Sequence, residues 1–182
     1  MMYRTHISTS LFMGAGLSAL CGFPFGLPYV MGITLGSLLP DIDEPNSFIG
    51  RRSFGLAEVI HKKFGHRGMT HSLVAWSVLT IICTIPSLIL EGFQPIILGI
   101  AMGYLFHLVG DYFSVSSIPI FYPYQRKGRK RKFAYTTGSV NEKWIYIISS
   151  FAFLYLFIVN ELYLYFVASI IHFLTFLFEL SF

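Results

Sequence analysis

From Trp144 to Phe182 the chain runs for 39 residues with two charged side chains, Glu161 and Glu179. As a single helix this stretch would extend roughly 58 Å, about twice the hydrocarbon thickness of a bilayer. Two antiparallel helices turning at Asn160-Glu161 are therefore expected. A soluble fold needs a polar skin to cover such a segment. With 54% hydrophobic and 12% charged residues, against about 25% charged in a typical globular domain, the chain has too few polar groups to supply one. The 19 Phe also exclude disorder, which goes with few aromatics and much charge. The expected class is all-α, a polytopic integral membrane helical bundle.

Three further apolar regions bring the count to four to five segments. Ser72–Leu90 reads as a conventional span, with Pro86 near its end, and Pro95–Phe113 as another. The short link Glu91-Gly92-Phe93-Gln94 makes these two a hairpin, so Ser72 and Phe113 fall on one membrane side. The first region, Leu11–Leu39, is broken at Gly22-Phe23-Pro24-Phe25-Gly26-Leu27-Pro28. Its halves, about a dozen residues each, are short for a span. They predict either two short helices that re-enter or one kinked span, since Gly and Pro are tolerated in membrane helices. The start of the chain superficially resembles a signal peptide, but the same break and the lack of a clean small-x-small site predict that it is retained. Cys21 and Cys83 lie in apolar segments and read as small packing residues, neither a disulfide framework nor a zinc pair.

The two polar loops, Pro40–His71 and Ser114–Lys143, hold twelve of the thirteen basic residues. The hairpin puts both on one side, and the positive-inside bias makes that side cytoplasmic.

Chemistry concentrates there. His6, His66, His71 and His107 lie at segment ends or in the first loop, near Asp41, Asp43 and Asp111. His107 and Asp111 are i,i+4 and share one helix face. Imidazole nitrogen and carboxylate oxygen are ordinary zinc ligands, and mixed shells also suit manganese or iron. Ionisable groups in membrane segments are costly and mostly functional. A His–Asp hydrogen bond that pins one helix to another is the plainer reading of the His107–Asp111 pair. The re-entrant and spanning alternatives matter here, because only re-entry brings His6 to the side of the aspartates. No Ser-His-Asp or Cys-His arrangement and no phosphate-binding glycine loop is evident.

Leu39-Pro40-Asp41-Ile42-Asp43, Gly65-His66-Arg67-Gly68-Met69-Thr70-His71-Ser72 and Gly103-Tyr104-Leu105-Phe106-His107-Leu108-Val109-Gly110-Asp111 resemble the YdjM-type (LexA-regulated) family, described as membrane-bound, metal-dependent hydrolases. Thr5-His6, Tyr122-Pro123-Tyr124, Thr137-Gly138-Ser139 and Glu142 fit the same pattern, so the resemblance covers roughly residues 5 to 142 in order. The His66–Ser72 string is its most specific piece. The family is thought to be distantly similar to zinc-dependent phospholipase C, an all-helical enzyme with zinc ions held by His and Asp. The resemblance thus implies one membrane-embedded hydrolase-like domain over residues 1–182, with a phospholipase-C-like helical core. Residues 5–142 carry the motifs and residues 143–182 form a hydrophobic hairpin.

On that resemblance His6, Asp41, Asp43, His66, His71, His107 and Asp111 are metal-ligand candidates. The metal is expected to be zinc, with manganese or iron as alternatives. Seven groups exceed one tetrahedral site and imply two or more ions. Asp43 or Asp111 would bridge metals or orient a water, and some acids would instead orient ligand histidines. Arg67 either grips a phosphate or pairs with a ligand carboxylate or lipid head group. Thr70 and Ser72 read as caps or hydrogen-bond partners of ligands, and Glu142 as a site residue or a helix-start acid. His61 and His172 read as structural. The run Arg126, Lys127, Arg129, Lys130, Arg131, Lys132 predicts attraction to anionic lipid head groups rather than nucleic acid. The expected function is metal-dependent hydrolysis of a phosphoester or phospholipid-like substrate. A metal-ion or proton transporter and a non-catalytic membrane scaffold are the alternatives.

Overall fold

The structure is a computed structural model that describes residues 1–87, 92–124 and 134–180. The basic run Arg126–Lys132 lies outside the described residues. Among the described residues seven helices carry the fold: α1 Tyr3–Cys21, α2 Leu27–Gly36, α3 Leu56–Phe64, α4 Leu73–Ser87, α5 Gln94–Tyr112, α6 Val140–Val159 and α7 Leu162–Leu180. Short 3₁₀ turns at Leu39–Asp43, Gly50–Arg52 and Met69–His71 link them. No strand occurs among the described residues. The expected all-α membrane bundle is what forms: α5, α6 and α7 are long and apolar enough to cross a bilayer, and α4 is a shorter apolar helix.

The first apolar region folds as a hairpin, not a kinked span. α1 ends at Gly22, whose left-handed backbone (φ 71°) returns its N–H to the Ser18 carbonyl, a geometry glycine adopts without strain. Pro28 sits in the first turn of α2, where its missing N–H costs no helical bond. α1 is longer than the expected dozen residues because it begins upstream of the apolar run. Its early polar residues Thr5, His6, Ser8 and Ser10 are buried rather than exposed.

α2 lies against α5 at backbone contact. A Cβ at Gly36 would stand 2.2 Å from the Ile100 carbonyl oxygen, and one at Gly103 2.2 Å from that of Ile33. Small residues allow membrane helices this approach. α4 runs back along α5: Trp76 Nε1 donates to the Ala101 carbonyl at 2.8 Å. α6 pairs with α1, where the hydroxyls of Ser8 and Ser149 bond at 2.7 Å. The α6–α7 turn falls at Asn160-Glu161, as expected. Phe25, Tyr29, Ala15, Ile33 and Leu162 form a buried cluster beside that turn. Most of α7 is exposed, as suits a helix facing lipid.

Candidate metal centre

The α1–α2 and α4–α5 hairpins place their polar ends together. Asp41 and Asp43 sit on the 3₁₀ turn after α2, His71 on the turn before α4, His107 and Asp111 near the end of α5, and His6 on the first turn of α1. His6, Asp43, His71, His107 and Asp111 are fully buried.

Four donor atoms converge: Asp41 Oδ1, His71 Nε2, His107 Nε2 and Asp111 Oδ2. His71 Nε2 is 3.2 Å from His107 Nε2, 3.4 Å from Asp41 Oδ1 and 3.6 Å from Asp111 Oδ2. His107 Nε2 is 3.7 Å from Asp41 Oδ1 and 3.8 Å from Asp111 Oδ2. A tetrahedron with 2.0–2.1 Å metal–ligand bonds has edges of about 3.3–3.4 Å. These five spacings lie near that value, so the group is one that could hold a metal ion. A second, more open group brings together Asp41, Asp43 and His66, so Asp41 belongs to both.

The remaining nitrogens of the inner histidines are already engaged. His107 Nδ1 lies 2.7 Å from the Ser37 carbonyl and donates to it, which leaves Nε2 as the lone-pair nitrogen. His71 Nδ1 lies 3.1 Å from Asp43 Oδ2, the carboxylate–histidine arrangement that orients metal ligands. Asp43 is saturated. Its Oδ2 also accepts from Thr70 Oγ1 at 2.5 Å and the Arg67 N–H at 2.9 Å, and its Oδ1 pairs with His66 Nδ1 at 2.9 Å. His6 is different. Its ring stacks on His107 at 3.6 Å, and neither of its nitrogens has a hydrogen-bond partner among the described residues. Its Nε2 stands 3.5 Å from Asp111 Oδ1. At that distance the Asp111 carboxylate is a polar neighbour of the buried ring, at the outer limit of a hydrogen bond.

The electrostatics concentrate charge on the turns. Burial opposes ionisation of Asp41, but His107, the hydrogen bond from His71 and the field of His6 outweigh it and hold the carboxyl below its usual range. Burial likewise disfavours the Asp43 anion, and the hydrogen bonds from His66, His71 and Thr70 reverse that effect. Burial also disfavours a charged His71, but its contacts with Asp41 and Asp43 and the field of Asp111 raise it to about 9. Without metal, His71 carries the proton that a cation would displace.

Arg67 adopts a left-handed backbone (φ 59°), uncommon for a residue with a Cβ. This aims its N–H at Asp43 while the guanidinium reaches Asp111 Oδ1 at 3.0 Å and the hydroxyls of Ser114 and Ser116. Ser72 caps α4 by accepting from the Ala75 N–H at 3.2 Å. Glu142 is fully buried, but its carboxylate accepts from the Met2 and Gly138 N–H groups, each at 2.5 Å, and Ser139 caps the same helix start. His61 Nδ1 lies 2.9 Å from the Asp43 carbonyl and ties α3 to the Asp41–Asp43 turn. His172 is exposed on α7.

A family profile described as YdjM inner membrane protein matches residues 1–181. The chain belongs to the YdjM family. It is 40% identical over 92 residues to the inner membrane protein YdjM of Escherichia coli (strain K12), an alignment covering 49% of this chain and 46% of that protein. The Shigella flexneri protein of the same name matches with the same figures. The chain thus aligns with about half the length of these two relatives. The protein YvsG of Bacillus subtilis (strain 168) is 30% identical over 144 residues, 78% of this chain and 85% of that one. No solved structure matches.

Among the residues around this YdjM-family centre, sequence reasoning passed over Ser37, Ser114 and Ser116. Ser37 acts through its backbone carbonyl, which every residue possesses, so no side-chain signal marks it. Ser114 and Ser116 follow Asp111 closely, and that spacing is the one available hint.

Proposed function

We propose that this chain is a membrane-bound, metal-dependent hydrolase of a phosphoester, with its ion held by Asp41, His71, His107 and Asp111. The convergence of these four donors at near-tetrahedral spacing carries the reading. An ion bound there would supply Lewis-acid polarisation of a phosphoryl oxygen and activation of a water. The chain's own residues do the rest. Asp43 and the Ser37 carbonyl fix the rings of His71 and His107. His66 and His6 stand ready to complete the shell or a second ion's shell. Arg67, at the rim and 11% exposed, offers a planar cation for a phosphate oxygen while anchoring Asp111. Zinc fits the all-N/O donor set and the spacing best. The basic loops, and with them the centre, are proposed to face the cytoplasm, where Arg126–Lys132 would meet anionic lipid.

The centre sits at helix ends, which argues against a translocation path. The oriented tautomers, which turn both inner Nε2 atoms to one point, argue against a network that only staples helices. Metal analysis of the purified chain, followed by a screen of phosphoesters and phospholipids, tests the reading. Bound divalent metal with chelator-sensitive release of phosphate or alcohol is expected. Metal-free protein of unchanged stability in chelator would remove it.

A further inference from the structure

α5 and α6 flank a cavity of about 820 Å³ floored by α1, within the roughly 300–1,000 Å³ range of ligand pockets. Phe12, Met13, Phe106, Ile145 and Ile148 make its walls apolar. Val109 is 37% exposed, Phe113 50% and Ile148 63%. All three sit on or just after helices able to cross a bilayer, so the mouth of the cavity opens sideways toward hydrocarbon.

The inner end lies beside the metal centre, separated from its donors by Met1 and Gly110. Gly110, the neighbour of Asp111, lines the cavity, and a Cβ built there would lie 2.7 Å from Met1 Cε and 3.7 Å from His6 Nδ1. That nitrogen is one of the partnerless buried atoms. Beyond Met1 lies a second cavity of about 640 Å³, whose lining includes Asp41, Glu44, His66, Arg67 and Ser116 beside Tyr3 and Phe48, and Met1 borders both spaces. One side of a single flexible side chain is lined by a cation and metal-binding groups. The other is apolar and opens to lipid. A molecule occupying both would be an amphiphile, with its head toward Arg67 and His66 and its tail in the apolar space.

We propose that the α5–α6 groove is the chain-binding subsite for a phosphoester that carries a long apolar tail, with the phosphate lying toward Arg67 and His66. The head-group half rests on the hydrolase reading above, while the tail half stands on the cavity alone. The ligand enters laterally from the bilayer, and Met1 and Gly110 form the threshold between tail and head. Ala152, three turns into α6, lines the groove far from the centre.

The test uses the full chain in nanodiscs, loaded with zinc, and a long-chain alkyl phosphonate bearing a diazirine at the chain end. Photolabelling mapped by mass spectrometry is expected on Ile145 and Ile148, competed by excess unlabelled phosphonate. The exposed face of α7, which reports bulk lipid, should be labelled without competition. Ala152→Phe should lower the groove labelling roughly tenfold, the scale of a steric change in an apolar pocket, and leave α7 labelling unchanged. Ile148→Ala, which removes volume, should retain it. Competition by a diacyl phosphate or by a polyisoprenyl phosphate then shows which tail class is taken. Groove labelling that is no stronger than α7 labelling, or that resists competition, overturns the proposal. Turnover of a water-soluble phosphoester with an unlabelled groove rejects the tail subsite and keeps the hydrolase. Saturable groove labelling with no hydrolysis of any phosphoester keeps the subsite and rejects the hydrolase.

Discussion

His6 and His107 stack ring on ring, 3.6 Å between centroids and 5° from parallel. One stands on the first turn of α1 and the other near the end of α5, so the contact requires the α1–α2 region to fold back on itself. It also buries an imidazole whose nitrogens have no hydrogen-bond partner among the described residues, beside a set of groups that could hold a metal ion. His6→Phe keeps the stack and deletes the nitrogens. Loss of metal affinity by roughly 10–100-fold is expected, as for a partner of a metal shell, with the helical content unchanged by circular dichroism. Undiminished affinity in a zinc titration would leave His6 a packing role only.

Asp41 and Asp43 are two residues apart and do different work. Asp41→Asn removes a donor shared by both candidate groups, and should abolish stoichiometric metal in the purified protein. Asp43→Asn loosens the orientation of His71 and should weaken affinity by about 10–100-fold while keeping the stoichiometry. Equal metal content in Asp41→Asn and the parent chain would take Asp41 out of the shell.

The raised His71 makes metal binding pH-dependent. In the metal-free chain its proton is held up to about pH 9, against an unfolded value of about 6.5. A raised value means that the protonated contact stabilises the metal-free fold fully below pH 6.5, and that this contribution fades as pH climbs to about 9. A metal must displace that proton, so apparent affinity should rise roughly tenfold per pH unit across this window for one proton released. Competition against a chelator between pH 6.5 and 9 measures it, and a flat profile would contradict the assignment.

Gly36→Ala should destabilise the protein by about 1–3 kcal/mol, the scale of overpacking, because its Cβ would meet the Ile100 carbonyl oxygen at 2.2 Å. The adjacent Ser37 carbonyl would shift away from His107, so metal affinity should fall as well. Gly16→Ala is the control, since its Cβ meets only Leu156 Cδ1 at 3.7 Å. Thermal unfolding in detergent should show a lower Tm for the first and none for the second.

Glu142→Gln separates the two readings of that acid. Its carboxylate accepts two backbone N–H groups, and an amide can accept only one of them and turns a donor toward the other. A loss of about 1–3 kcal/mol in stability is expected, with metal content unchanged. A large fall in kcat at unchanged Tm would instead place Glu142 in the chemistry.

Much of this architecture is legible from local signals. Apolar length sets the membrane-spanning helices, Asn160-Glu161 marks the last turn, and the short link before Gln94 makes α4 and α5 a hairpin. The i,i+4 spacing of His107 and Asp111 puts both on one face without any tertiary information, because helix geometry alone decides it. Asp41, Asp43, His66 and His71 came into view differently, through strings that resemble a known family and through side-chain types that are rare in an apolar chain.

Sequence by itself therefore determined the helical membrane class and the inventory of candidate metal ligands. Only the tertiary structure decided a helical hairpin over a kinked single helix in the first region. That choice depends on the backbone-to-backbone approach of α2 and α5 at Gly36 and Gly103, a long-range contact that periodicity does not encode. It also decided how the donors are grouped. Asp43 faces the back of the His71 ring while Asp41 faces its front, although both lie on one short turn. The direction of a side chain on a 3₁₀ turn is set by what surrounds it: here Thr70, the Arg67 N–H and the His71 ring.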